Sequence, residues 1–291
     1  MKKNSKITAI LLSTLFGIQG IVSGQAPDTL RYLFMGHIYK FYTAGNKIDP
    51  RVEQLDMSGF QGIWLGGDVC SEATLLYSTI QYIDSLFDLG SPTTYWSLGN
   101  HDARNGNYEW LKEFTGRDTY FTHYLQGITA IVMNTNLVPT DCDNVEKQYR
   151  IIMDVCDTIG SSSHLVLIMH HGIWRGVPNL PNPATYAQSD FKYWNANCDS
   201  PGSSFVNAIY PRLVEVKNRG IEVICILGDM GGQHFLMDSQ DGIHFMGVGL
   251  NESPGDEVLI FEYALPGRTM TYQFHNLDSL LLSQQRKINR R

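Results

Sequence analysis

Short apolar runs punctuate the chain at residues 30–35, 62–65, 94–98, 128–133, 165–169 and 223–227. Each has strand length and little alternation of apolar with polar positions, the pattern of strands covered on both faces. Stretches with helical periodicity separate them, at residues 72–89, 108–114, 145–158 and 205–218. Strand and helix alternate, so the pattern predicts a layered α/β fold with parallel strand pairing. Beyond Asp229 the pattern changes. Residues 243–248, 257–263 and 269–274 come one after another as strands, which predicts a meander.

The polar residues at the ends of these apolar runs carry the chemistry. The runs end in Gly36-His37, Gly66-Gly67-Asp68, Gly99-Asn100-His101-Asp102, His170-His171 and Gly228-Asp229-Met230-Gly231. In open α/β sheets, ligands bind at the carboxyl ends of the strands. These ends therefore deliver Asp, Asn and His to one rim, and the glycines let the chain turn and approach a ligand closely. Taken singly, a Gly-Asp is most often a turn, an Asn-His a hydrogen-bonded loop and a His-His a capped strand end. Five such ends in sequence, each after an apolar run, point instead to a site. Asp, Asn and His are the ligand types that suit Mn, Fe, Zn or Mg.

This ordered set resembles the calcineurin-like metallophosphoesterases, whose pattern is D-x-H, G-D, G-N-H-D/E, H and G-H-x-H. The resemblance runs from about residue 30 to 263, and G-N-H-D is its most specific element. It implies a four-layer α/β/β/α sandwich around two sheets, with two metal ions sharing a bridging Asp and a bridging water. By that likeness Asp68 is the bridging ligand, and Asn100 and His170 are ligands of the second metal. His101 protonates or steadies the leaving group, with Asp102 orienting it. Asp229 stands where the family has the first His of G-H-x-H, and it remains a competent ligand for a hard cation. The first-metal side departs from the pattern. His37 matches the His of D-x-H, but Met35 stands in place of its Asp, and Gly231 in place of the second His of G-H-x-H. His234 lies three residues further on as a distant substitute, and His171 could exchange roles with His170. The expectation is one tight divalent metal on Asp68, Asn100, His170 and Asp229, with the His37 side empty or weakly filled.

The N-terminus adds a destination. Lys2, Lys3 and Lys6 precede an uncharged apolar stretch from Ile7 to Val22, and small Ser23 and Gly24 precede Gln25. This is the signature of a secretory signal peptide over residues 1–24. It predicts a secreted or periplasmic protein with no stable membrane span after cleavage. A retained anchor is the rival reading, weakened by Ser13, Gly17, Gln19 and Gly20 within the stretch. Residues 25–276 then form one domain and 277–291 a tail, in which Arg286, Lys287, Arg290 and Arg291 read as a frayed, solvated end. The formal charge of -7 argues against a nucleic-acid polymer as partner. It leaves a phosphate substrate open, because a bound metal reverses the local field. The five cysteines form no CxxC pair, so a cysteine metal site is not expected. Cys225 reads as a buried free thiol. Cys142, Cys156 and Cys198 lie in polar, loop-like surroundings where a pair could form.

Three further features border the expected site. The stretch Ile38-Tyr39-Lys40-Phe41-Tyr42 offers aromatics and a lysine to a sugar, base or phosphate, or else packs as an ordinary turn. Arg104 either clamps a phosphate oxygen or is a solvated surface side chain. Residues 174–204, with Pro178, Pro181, Pro183, Tyr186, Phe191, Tyr193 and Trp194, read as a flap over the rim. The sequence thus predicts an exported hydrolase of phosphomonoesters or phosphodiesters, acting on a small-molecule or glycan phosphoester. The alternative is a weak or inactive relative that binds a ligand or partner. An unrelated esterase lacks support, since no G-x-S-x-G elbow occurs.

Overall fold

All six apolar runs are strands in the computed structural model, which describes residues 28–41, 46–137, 141–185 and 204–288. The expected signal segment, Tyr42, residues 186–203, Arg290 and Arg291 lie outside the described residues. The strands are β1 (Thr29–Met35), β2 (Gly62–Leu65), β3 (Thr94–Trp96), β4 (Phe121–Leu125), β5 (Ile128–Val132), β6 (His164–Met169), β7 (Glu222–Leu227), β8 (His234–Asp238), β9 (His244–Val248), β10 (Glu257–Ala264) and β11 (Thr269–Asn276). One sheet runs β11-β10-β1-β2-β3 and the other β4-β5-β6-β7-β9-β8. The central strands β1, β2 and β3 are parallel, as are β5, β6, β7 and β9.

The unbroken apolar runs reflect burial on both faces. In β1, Tyr32 and Phe34 point between the sheets, where they meet Trp64, Ile168, Ile226 and Phe261. Leu33 and Met35 point the other way, into a cluster with Ile80, Ile83 and Leu111. Those last residues come from α2 (Tyr77–Phe87) and α4 (Tyr108–Thr115), which cover the first sheet with the short α1 (Pro50–Glu53); the single turn α3 (Asn100–Ala103) lies between α2 and α4 in the chain. The second sheet buries Leu165, Leu167 and Val223 beneath α5 (Cys142–Thr158) and α6 (Tyr210–Asn218). The layers are therefore helix, sheet, sheet, helix, the four-layer sandwich expected.

Several expectations are corrected. The three late strands are not one meander: β9 joins the second sheet parallel to β7, while β10 and β11 extend the first. The 277–291 tail is not frayed over its described part. Residues 277–288 form helix α7, and Leu277 and Leu281 are buried against the first sheet's outer cluster. The described part of the 174–204 loop packs rather than hovering over the rim. Trp174 sits 5.3 Å from Phe235 and 5.4 Å from Phe245, and Val177 joins the same core, because these apolar side chains cover the end of the second sheet. Cys156 is a buried free thiol on α5, as are Cys70 and Cys225 elsewhere, and Cys142 is disulfide-bonded.

Where the two sheets meet at the rim, the strand ends touch backbone to backbone. A Cβ on Gly228, just after β7, would lie 2.1 Å from the Gly66 carbonyl oxygen; one on Gly36, after β1, would lie 2.3 Å from the Gly228 Cα. No side chain fits this crossing. It draws the loops after β1, β2 and β7 together, and with them the residues next to each glycine.

Candidate metal centre

Two loops of the first sheet are zipped by main-chain bonds. His37 N–H donates to the Gly67 carbonyl at 2.9 Å, and Tyr39 N–H to the Asp68 carbonyl at 3.2 Å. His37 and Asp68 both adopt left-handed backbone, at φ 54° and 52°. That conformation is uncommon outside glycine, though Asp and His adopt it more readily than most residues. From the second sheet, the Asp229 N–H donates to the His170 carbonyl at 3.1 Å. All four side chains are buried.

The donor atoms converge. His170 Nε2 lies 3.3 Å from Asn100 Oδ1, 3.5 Å from Asp68 Oδ1 and 3.9 Å from Asp229 Oδ1. A cation with bonds of about 2.1 Å holds its neighbouring donors roughly 3.0–3.4 Å apart, so this spacing fits a site that contracts slightly around an ion. On the other side, His37 Nε2 lies 3.7 Å from Asp68 Oδ2. The two oxygens of Asp68 thus face two different histidines, the disposition expected of a bridging carboxylate. His37, Asp68 and Asp229 form one donor group, and His170, His171 and Asp229 another. The sequence-predicted ligands His37, Asp68, Asn100, His170 and Asp229 are all brought together, and His171 joins as an additional donor rather than as a substitute.

Backbone carbonyls set the tautomers. His170 Nδ1 faces the Gly66 carbonyl at 2.7 Å and His37 Nδ1 faces the Leu250 carbonyl at 3.2 Å. A carbonyl only accepts, so each Nδ1 carries a proton and each Nε2 is the nitrogen turned to the centre, with a lone pair whenever the ring is neutral. Burial holds the His37 imidazole below its ordinary pKa despite Asp68 nearby, and burial with the neighbouring His170 holds His171 well below. Both are neutral donors near neutral pH. His170 differs: burial opposes its charge, but Asp68 and Asp229 outweigh burial and raise its pKa. A cation held there would compete with the added proton for Nε2.

Asp102 does not orient His101. Its carboxylate turns inward and accepts from Val69 N–H at 2.9 Å, Gly99 N–H at 2.9 Å, Trp96 Nε1–H at 3.0 Å and, more loosely, Cys70 N–H at 3.4 Å. It ties the loop that carries Asp68 to the loop that carries Asn100. Burial first, then the charge of Asp68, pushes this carboxyl up to about 7. His101 takes its orientation elsewhere. Its Nδ1 faces the Ser71 carbonyl at 3.0 Å, and its ring stacks on Tyr39 at 4.9 Å. The carbonyl accepts from Nδ1–H, which leaves the lone pair on Nε2; Arg104 Nη2 lies beside the ring, 3.1 Å from Nδ1 and 3.4 Å from Nε2. The His101 N–H also donates to Asp68 Oδ1 at 2.9 Å, which couples the two motifs directly. Gly99 is required here, because a Cβ on it would lie 2.0 Å from Asp68 Oδ1.

The described part of the aromatic stretch after His37 packs beside the centre. Tyr39 lies 4.7 Å from the His37 ring and 4.6 Å from Phe41. His234 does not reach the site; it is half exposed, paired with Glu257 and stacked on Phe274. Met35 is fully buried in the helix-side apolar cluster, and Gly231 has φ 52°. Neither supplies a donor. The carbonyls of Gly66, Ser71 and Leu250 are not legible in the sequence as site groups, since a main-chain acceptor leaves no mark on residue type.

Fold and donor set together give a four-layer α/β/β/α sandwich with Asp, His and Asn side chains gathered at its rim. No family model and no curated protein matches the sequence. Among solved structures, the chain is similar to a dimetal phosphatase from Danio rerio, at 10% identity over 85% of this chain and 96% of that one, with a TM-score of 0.49. It is also similar to Vps29 from Cryptosporidium parvum, at 11% identity over 85% and 97%, with a TM-score of 0.34. A third is zinc-complexed Vps29 from Entamoeba histolytica, at 10% identity over 85% and 99%, with a TM-score of 0.33.

Proposed function

We propose that this protein is an exported, metal-dependent hydrolase of phosphomonoesters or phosphodiesters, with a small-molecule or glycan phosphoester as substrate. The observation that supports it most is the convergence of Asp68, Asn100 and Asp229 oxygens within 4 Å of His170 Nε2 at the rim, where Asp68, His170 and Asp229 are buried. The donor set of carboxylates, imidazoles and one amide suits Mn, Fe, Zn or Mg rather than a soft ion. A divalent cation held there supplies Lewis acidity toward phosphoryl oxygens and lowers the pKa of water into the range where it is a nucleophile.

The chain's own groups do the rest. Asp68 offers one oxygen to each donor group. His101 Nε2, once protonated, gives its proton to the leaving oxygen, while the Ser71 carbonyl and the Tyr39 ring hold the imidazole in place. Tyr39 and Phe41 wall off one side of the centre and limit water. Export is supported by the charged start and apolar stretch of residues 1–24. No helix among the described residues is long and apolar enough to cross a membrane. The test of export is N-terminal sequencing of protein recovered outside the cytoplasm, with Gln25 expected as the first residue.

The decisive assay loads the purified protein with Mn or Zn and measures hydrolysis of aryl phosphomonoesters and phosphodiesters. A folded, metal-loaded protein with no turnover above the uncatalysed rate sinks the hydrolase reading and leaves the binding protein. Chelation should abolish turnover and lower Tm, because an ion bound only to the native state stabilises it. Full activity after chelation would exclude a metal centre.

His101→Gln separates leaving-group chemistry from metal binding. Alkyl phosphoesters should slow by roughly 100- to 10,000-fold, the range of general acid catalysis, while nitrophenyl esters slow far less because their leaving group needs no proton. Equal loss on both would show that His101 acts in another way.

A further inference from the structure

We propose that the cation position beside His37 fills together with a phosphate dianion and not ahead of it, so that phosphate is itself the ligand completing that position. This rests on the phosphoesterase reading above. The two donor groups are unequal. The His170 side draws on Asp68 Oδ1, Asn100 Oδ1, His170 Nε2 and Asp229, with His171 beside them. The His37 side has one donor of its own, His37 Nε2, and shares Asp68 and Asp229 with the first. Three protein donors, two of them shared, fall short of the four that zinc takes or the six that magnesium takes. Among the described residues no side chain makes up the difference. Met35 is packed into the apolar cluster, and Gly231 has none to offer.

Charge points the same way. The donor groups contain two carboxylates, Asp68 and Asp229, which neutralise one divalent cation. Asp102, the next buried carboxyl, is turned away and held by main-chain and indole N–H groups. A second divalent cation would leave two positive charges uncompensated among side chains that are almost wholly buried, a strongly unfavourable state. A phosphate dianion cancels that charge and brings oxygen donors to the side that lacks them. Because linkage is reciprocal, the second cation must raise phosphate affinity by the same factor as phosphate raises the cation's. Substrate binding then becomes dependent on free cation, although the first ion stays bound throughout.

The experiment is elemental analysis and calorimetric titration of the full chain with Mn2+, with and without inorganic phosphate, on the wild type and on His37→Gly. Glycine is chosen because it accepts the φ of 54° at this position. The expected result for the wild type is one Mn per chain without phosphate and two with it, the second ion tightening by about tenfold or more, within the range of ordinary coupling. His37→Gly should hold one ion under both conditions. Two ions without phosphate, or one under both conditions in the wild type, would overturn the inference while leaving the metal centre intact. Two ions with phosphate in His37→Gly would also overturn it, by placing the second ion elsewhere. No Mn bound under any condition would overturn the inference, and no Zn, Fe or Mg bound either would overturn the phosphoesterase reading with it.

Discussion

Asp68→Asn is expected to remove turnover by at least about 1000-fold, the upper part of the range for loss of a preorganised electrostatic partner. Asp68 reaches both sides of the centre with separate oxygens, Oδ1 toward His170 and Oδ2 toward His37. Asn keeps the size, tolerates the left-handed backbone at φ 52° and can still accept the His101 N–H bond. It removes one of the two negative charges that an entering cation needs. The metal-free variant should therefore melt at or above the wild-type temperature, since a buried like-charge neighbour of Asp229 has gone. The metal-dependent rise in Tm should shrink or vanish. Measured together, the two melts and the rate separate a lost ligand from a lost fold. Full metal stabilisation in Asp68→Asn would show that Asp68 does not ligate.

Gly228→Ala is expected to destabilise the protein by about 3 kcal/mol or more, at or beyond the usual upper end of overpacking. The new methyl would lie 2.1 Å from the Gly66 carbonyl oxygen and against the Gly66 Cα. Both obstacles are backbone, so no rotamer change relieves them; the strand ends must part. Parting them separates Asp229 from Asp68 and His170, so metal affinity should fall with stability. Gly160→Ala serves as control, because its Cβ would meet nothing nearer than 3.9 Å. It should stay within about 0.5 kcal/mol, as surface changes do. Chemical denaturation of the two variants provides the comparison. A Gly228→Ala protein as stable as the control would mean that the two sheets are not locked at this crossing.

Much of the centre is legible in the chain because metal chemistry and strand topology constrain the same residues. His37, Asp68, Asn100, His170 and Asp229 each come after a strand whose residues are apolar on both faces, and each lies at its carboxyl end. Recognising the strands therefore locates the ligands. The weaker strands stay hidden for the same reason in reverse. β4 and β8 are sheet edges with mixed exposure, and sequences such as FTHYL and HFLMD show no apolar run. Asp102 misleads in sequence because its neighbour, His101, points elsewhere. On a single helical turn, adjacent side chains diverge by about 100°.

The sequence by itself determined the layered α/β class, the strands of both sheet centres, and the residues able to ligate a hard cation. These are properties of local composition: burial on both faces demands continuous apolar runs, and ligation demands Asp, Asn or His. Only the tertiary structure decided the rest. It assigned β9 to the second sheet and β10 to the first, since periodicity reports whether a strand is buried but not which neighbour buries it. It also turned the carbonyls of Gly66, Ser71 and Leu250 toward three histidines and so fixed which nitrogens are free. Every residue carries such a carbonyl, so residue identity cannot announce which ones will be used; only the close crossing of the two sheets does.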